Sequence, residues 1–272
     1  MAYQVIRNTL IYFSPTGTTR TIAKSVAQGV AINPREFDLT LPLEREKKIY
    51  LEEAEFLLLA FPVHGGRLPP MAREVVGALP RGRRPVAAVV VFGNVGYGDA
   101  LLELYDLCLS RDFEVKAAGA FVGEHSYSHV LGENRPNEAD RELARVFGVG
   151  IRQSLFCSWN IGREAVSRDA LSPYRPYPNK IKLNFMIRPR SCEVCRICVH
   201  SCPVGAFVGG DPKKIDFEKC IGCAACVKLC PNKARKFVDD DFLDDIALMA
   251  ANHNEAKNPV TFLPPNLPEY FS

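Results

Sequence analysis

Short apolar runs alternate with stretches of helical periodicity over the first 157 residues. Residues 5–13, 35–39, 55–61, 86–92 and 115–122 are apolar runs bounded by turn signals, the pattern of strands buried in a sheet. Between them, residues 17–30, 68–79, 98–111 and 136–157 carry apolar positions at helical spacing. This alternation predicts an α/β fold, a five-stranded parallel sheet with helices on both faces. Ligands of such sheets bind outside the carboxyl ends of the strands, so the loops that follow the strands are where chemistry is expected.

The first such loop, Ser14-Pro15-Thr16-Gly17-Thr18-Thr19, offers four hydroxyls, a flexible glycine and the start of a helix. Free N–H groups and the aligned dipole make a helix start a phosphate site. No lysine follows the glycine, which excludes the nucleoside triphosphate loop. Hydroxyls suit a single terminal phosphate such as that of FMN, and equally suit an elaborate helix cap. After the third strand comes Pro62-Val63-His64-Gly65-Gly66, where two glycines let backbone approach a flat ring. After the fourth comes Asn94-Val95-Gly96-Tyr97-Gly98-Asp99, with an aromatic among glycines. Its glycine spacing and position do not match a dinucleotide fingerprint. Glu124-His125-Ser126-Tyr127-Ser128-His129 follows the fifth strand on the same edge, as a substrate or partner site or an ordinary polar loop.

Eight of the ten cysteines fall in two copies of one spacing. Cys192, Cys195, Cys198 and Cys202-Pro203 form the first, and Cys220, Cys223, Cys226 and Cys230-Pro231 the second. Thiolate is the soft ligand that suits a cubane cluster, and this is the run in which three close cysteines hold one [4Fe–4S] cube and a remote fourth, exchanged between the copies, completes it. One cluster is therefore expected on Cys192, Cys195, Cys198 and Cys230, the other on Cys220, Cys223, Cys226 and Cys202. Paired zinc sites or disulfides are the competing readings of eight thiols. The copies differ before their second ligand, with Val194 in one and Gly222 in the other. Cys108 and Cys157, in helical patterns, are expected to be structural.

A net charge of +3 gives no case for nucleic acid, and no apolar run approaches the roughly 18 residues of a membrane span. The N-terminus lacks a signal-peptide layout, and cluster-spaced thiols suit a reducing compartment, so a cytoplasmic protein is expected. The expected organisation is a sheet domain over 1–158, a proline-rich basic connector over 159–187, a cluster domain over 188–240 and a tail over 241–272. Lys180, Lys182, Arg188 and Arg190 in and beside the connector offer a docking patch for an acidic partner or a solvated surface.

Tyr12 to Thr19 resembles the phosphate loop of flavodoxins, and Phe92 to Asp99 resembles a second isoalloxazine loop of the short-chain type. With the downstream cysteine runs, residues 5 to about 238 resemble the flavodoxin–ferredoxin fusion family. The resemblance implies a flavodoxin-like five-stranded parallel sheet followed by a small α+β 2[4Fe–4S] ferredoxin domain, with FMN and two [4Fe–4S] clusters as cofactors. It implies that Ser14, Thr16, Gly17, Thr18 and Thr19 hold phosphate. It also implies that Pro62, Val63, His64, Gly65 and Gly66 and residues Asn94, Val95, Gly96, Tyr97, Gly98 and Asp99 flank the ring, with Tyr97 stacking. His64 stands where many flavodoxins place an aromatic or methionine. The function expected is electron transfer between clusters and FMN, with redox proteins as partners. The alternatives are an oxidoreductase that reduces a small acceptor at FMN, with His64 or His125 as proton donor, and a redox sensor.

Overall fold

The apolar runs become strands at nearly the expected positions. The elements of the first half are β1 (Asn8–Tyr12), α1 (Thr18–Val30), β2 (Arg35–Asp38), α2 (Pro42–Arg45), β3 (Phe56–Pro62), α3 (Pro70–Ala78), β4 (Pro85–Phe92), α4 (Ala100–Ser110), β5 (Glu114–Val122), α5 (Glu138–Ser154) and α6 (Arg163–Val166). The remainder comprises β6 (Phe185–Ile187), α7 (Ile197–His200), α8 (Ala225–Lys228), β7 (Arg235–Phe237), α9 (Asp240–Asn252) and β8 (Val260–Phe262). The computed structural model describes residues 8–30, 33–52, 55–167, 174–177, 185–187 and 190–265. Lys180, Lys182 and Arg188 of the expected basic patch lie outside them.

The sheet runs β2-β1-β3-β4-β5-β8. Its first five strands are parallel, in the flavodoxin-like 2-1-3-4-5 order. The sixth strand corrects the expected count of five: β8, from the tail, pairs antiparallel with β5, setting Phe262 opposite Ala118. Three residues are too few to register as a periodic run, which is why the sequence pattern does not announce this strand.

Successive side chains of a strand point to opposite faces, and two apolar layers result. Ile11, Leu57, Leu59, Phe61 and Val90 pack with α3 and α4 residues such as Val76 and Leu101. Leu10, Leu58, Val89 and Phe121 pack with Ile22 and Val26 of α1 and with Phe147 and Ile151 of α5. Each fully buried side chain of this size contributes roughly 1.5–3 kcal/mol. Asn137 opens α5 with a capping box, its side chain accepting from the Asp140 N–H while the Asp140 carboxylate accepts from the Asn137 N–H.

The described parts of the expected connector pack on the sheet domain. Ile161 and Val166 are buried in the α3–α4 layer, and Tyr105 Oη donates to the Ile161 carbonyl at 2.7 Å. Further on, Arg175 bonds Asp99, and the Arg67 guanidinium lies 5.0 Å from the centre of the Tyr174 ring. Arg67 is itself held by buried Glu103, at 3.0 and 3.1 Å.

Helices α1 and α5 cross at paired glycines. A Cβ on Gly29 would lie 1.8 Å from the Arg145 carbonyl oxygen, and one on Gly148 would lie 2.1 Å from that of Val26. Backbone on both sides leaves no flexible group to yield. Gly148→Ala is expected to cost roughly 1–3 kcal/mol through overpacking, read as a lower denaturant midpoint with an unchanged slope.

Candidate functional site

The two cysteine runs fold as copies offset by 28 residues, so that Cys192 corresponds to Cys220. Left-handed backbone repeats at the same offset: Val194 (φ +55°) matches Gly222 (+67°), Arg196 (+59°) matches Ala224 (+57°), and Gly205 (+60°) matches Lys233 (+46°). The difference between Val194 and Gly222 therefore leaves the turn intact. Holding Val194 there costs about 1–2 kcal/mol, the penalty of a left-handed residue with a Cβ. Such turns aim peptide N–H groups inward. Ala206 N–H donates to Cys202 Sγ at 3.3 Å, and Ala234 N–H donates to Cys230 Sγ at 3.2 Å.

Cys192, Cys195, Cys198 and Cys230 line one cavity, with Cys226 and Arg235 also in its wall. Around Cys223 stand Cys226, Cys202 and Cys220. Burial pushes the Cys198, Cys223 and Cys226 thiols up, while Arg235 pulls Cys198 and Cys226 back toward the thiolate. Among the described residues no three His, Cys, Asp or Glu side chains converge as ligands of a single metal ion. Four thiols around the one cavity of the first set fit the ligand number of a [4Fe–4S] cluster. Cys108 is fully buried in the sheet domain and Cys157 is exposed, both apart from these sets.

At the sheet edge, Ser14 Oγ is occupied by the Arg20 N–H at 2.9 Å, and the Ser14 N–H donates to Thr40 at 3.0 Å. Gly17 takes φ +91°, and Thr16 and Thr18 are half-buried beside it. Thr19 is 1% exposed and its hydroxyl has no hydrogen-bond partner among the described residues. Of the first N–H groups of α1, that of Arg20 goes to Ser14 and that of Thr21 to the Gly17 carbonyl, while those of Thr18 and Thr19 have no acceptor within the helix. The Arg20 guanidinium comes within 3.9 Å of where a Gly17 Cβ would lie, a cation the sequence reasoning missed because arginine follows the motif. This donor set fits a terminal phosphate.

The two glycine loops touch. Asp99 N–H donates to the Gly66 carbonyl at 2.8 Å, and a Cβ on Gly98 would lie 2.5 Å from that same oxygen. The Val63 N–H reaches the Val91 carbonyl at 2.8 Å, and His64 closes a turn with Arg67 across Gly65 and Gly66. Pro62 ends β3 half-buried. Tyr97 packs in the core, its ring 5.7 Å from that of Phe92, while Gly96 has open space on its Cβ side. Asn94 is taken by the tail: its Nδ2 donates to the carbonyls of His253 and Glu255 at 2.8 and 2.9 Å, and its Oδ1 accepts from the Lys257 N–H at 3.0 Å. The Lys257 ammonium bonds the Val95 carbonyl.

The loop after β5 joins this edge to the cysteines. A Cβ on Gly123 would lie 3.0 Å from Thr18 Cβ, and one on Gly93 would lie 2.6 Å from the His125 ring. Two residues on, Tyr127 Oη donates to the Gly222 carbonyl at 2.6 Å, between Cys220 and Cys223. Its ring stacks edgewise against His125, Phe237 and Phe242. Lys228, 12% exposed, bonds the Glu124 carboxylate and donates to the Ser128 carbonyl at 2.8 Å. Arg45 Nη2 donates to the Pro203 carbonyl at 2.6 Å, beside Cys202. The set around Cys223 thus faces the sheet domain, whereas Cys195 of the other set is exposed.

Residues 191–235 match the 4Fe-4S dicluster domain family. A selenate reductase component of Mesobacillus selenatarsenatis is 32% identical over 111 residues, 35% of this chain and 37% of that protein. A component of the ion-translocating oxidoreductase complex of Methanosarcina acetivorans is 48% identical over 48 residues, 16% of this chain and 18% of that one. The chain therefore spans well under half the length of these curated relatives. A solved archaeal flavodoxin covers 55% of this chain and 99% of its own at 16% identity, with a TM-score of 0.41. Among the described residues no helix is long and apolar enough to cross a membrane.

Burial lowers the His64 imidazole to about 4, and burial with the nearby Lys228 charge lowers His125 to about 4. The unfolded chain takes up protons on these rings near pH 6.5, whereas the folded protein resists until about 4. Stability is therefore expected to be full above pH 6.5 and to fall as the pH drops through that window. Thermal midpoints against pH, with imidazole NMR titration, check this.

The donor sets, the strand order and the matched family together define a redox protein in which a 4Fe–4S dicluster ferredoxin segment is docked on a doubly wound sheet of flavodoxin order.

Proposed function

We propose that this chain relays electrons between two [4Fe–4S] clusters and FMN. The observation that carries the reading is the docking of Gly222, Lys228 and Pro203 onto the loop after β5 and onto α2, which sets one cysteine group against the phosphate-loop edge of the sheet. In this reading Cys220, Cys223, Cys226 and Cys202 hold the inner cluster. Cys192, Cys195, Cys198 and Cys230 hold the outer one, where exposed Cys195 lets a protein donor approach. Thr16, Thr18, Thr19, Arg20 and the N–H groups of α1 bind the FMN phosphate, with Ser14 and Gly17 shaping the loop. Residues 62–66 and 94–99 border the ring; buried Asn94 and Tyr97 support that border from behind.

FMN, when bound, supplies two-electron capacity filled in single steps, which clusters alone lack. The packed rings of Tyr127 and His125 bridge the edge loop and the inner cysteines. At neutral pH both His64 and His125 are uncharged, so neither holds an extra proton for a small acceptor. That favours relay to redox proteins over direct reduction of a small molecule. Unbridged cysteines at cluster spacing suit a reducing compartment such as the cytoplasm.

Replacing both Thr16 and Thr18 by alanine is expected to weaken FMN binding at least tenfold while sparing iron, since each hydroxyl bond to a charged group is worth about 1.5–3 kcal/mol. Flavin fluorescence titration reads this, and unchanged affinity would sink the phosphate-loop reading. Cys198→Ala is expected to remove about half of the roughly eight irons and leave flavin in place. In stopped-flow reduction of the loaded protein, Tyr127→Leu should slow the passage of electrons from clusters to flavin by an order of magnitude. Wild-type speed in that variant, with both cofactors present, rules out the relay path.

A further inference from the structure

The internal repeat breaks at one buried position. Phe207 follows Cys202 by five residues, and 28 residues later the corresponding place after Cys230 holds Arg235. The two meet: the Arg235 guanidinium lies 5.2 Å from the centre of the Phe207 ring. Arg235 is 5% exposed, bonds the Pro212 carbonyl and stands in the wall of the cavity lined by Cys192, Cys195, Cys198 and Cys230. It hydrogen-bonds Cys198, and its charge also reaches Cys226 of the other set. A symmetric pair of apolar side chains would leave the two cysteine sets alike. At this place one copy supplies a cation and the other an aromatic ring, so the two sets are unequal there.

We propose that Arg235 raises the reduction potential of the cluster held by Cys192, Cys195, Cys198 and Cys230 above that of its neighbour, so that the outer cluster holds the first electron. One-electron reduction by a low-potential carrier protein adds one negative charge to the cluster and moves no proton. A fixed cation buried beside the ligand sulfur lowers the energy of that charged product more than that of the oxidised form. A hydrogen bond to Cys198 Sγ acts in the same direction. Exposure of Cys195 adds to it, because water also favours the more highly charged state.

The inference rests on the cluster ligation proposed above. The experiment is a redox titration of the full-length protein followed by electron paramagnetic resonance, with dithionite as reductant and a soluble gadolinium chelate to identify the outer cluster by its faster relaxation. Wild-type protein should titrate in two separated steps. Arg235→Met, which keeps the apolar stem and loses the charge, should lower the outer midpoint by about tenfold in the reduction equilibrium, about 59 mV for a one-electron couple. Arg235→Lys should recover part of that loss. Unmoved midpoints in fully loaded Arg235→Met, or a shift confined to the inner cluster, would overturn the proposal. If Arg235→Met loses iron, Arg235→Gln, polar but uncharged, carries the test, and an outer midpoint there equal to wild type overturns it. Failure of the wild-type protein to bind two clusters counts instead against the ligation itself.

Discussion

A nearly buried ammonium holds the two halves of this molecule in register. Lys228 belongs to the second cysteine copy, yet its partners, Glu124 and the Ser128 carbonyl, belong to the loop after β5. A charge in that position is tolerated only while it is paired, so the loop and the cysteine segment constrain each other. The Tyr127 hydroxyl on Gly222 and the Arg45 guanidinium on Pro203 extend the contact to the turns that carry the inner thiols. The placement of one cysteine set against the sheet edge follows from these few polar bonds, enclosed by the rings of Phe237 and Phe242.

The same edge is fixed from two further directions. The connector lays Tyr174 and Arg175 on Arg67 and Asp99, bracing the two glycine loops from one side. The tail then closes on Asn94 and Val95 from the other. A carrier that returns to one geometry after each electron benefits from this bracing, because loops bound on both sides have few alternative states to visit. The strained turn at Val194 belongs to the same constraint: left-handed backbone at matching places in both copies positions the thiols.

Most of the fold was legible in the sequence because its signals are local. Apolar runs placed β1 to β5, helical spacing placed the helices between them, and cysteine spacing marked both thiol sets. What escaped depends on residues far apart in the chain. Val260 to Phe262 is too short to read as a strand without β5 beside it. Arg20, one residue past the phosphate motif, stays exposed and shows its place only when the helix brings it beside Gly17, and Arg235 looks like an ordinary surface cation until the fold buries it between two thiol sets. Asn94 and Tyr97 illustrate the opposite limit, since a glycine-rich loop identifies an edge without saying which of its side chains turn inward.

The sixth strand has a consequence for biogenesis. Because β8 follows the cysteine segment, the β5 edge of the sheet has no partner while the ribosome is still making residues 190–259. Its N–H and C=O groups are meanwhile open to pairing with another nascent chain. A chain that stalls before β8 is made would carry a bare sheet edge, open to aggregation even with every thiol in place.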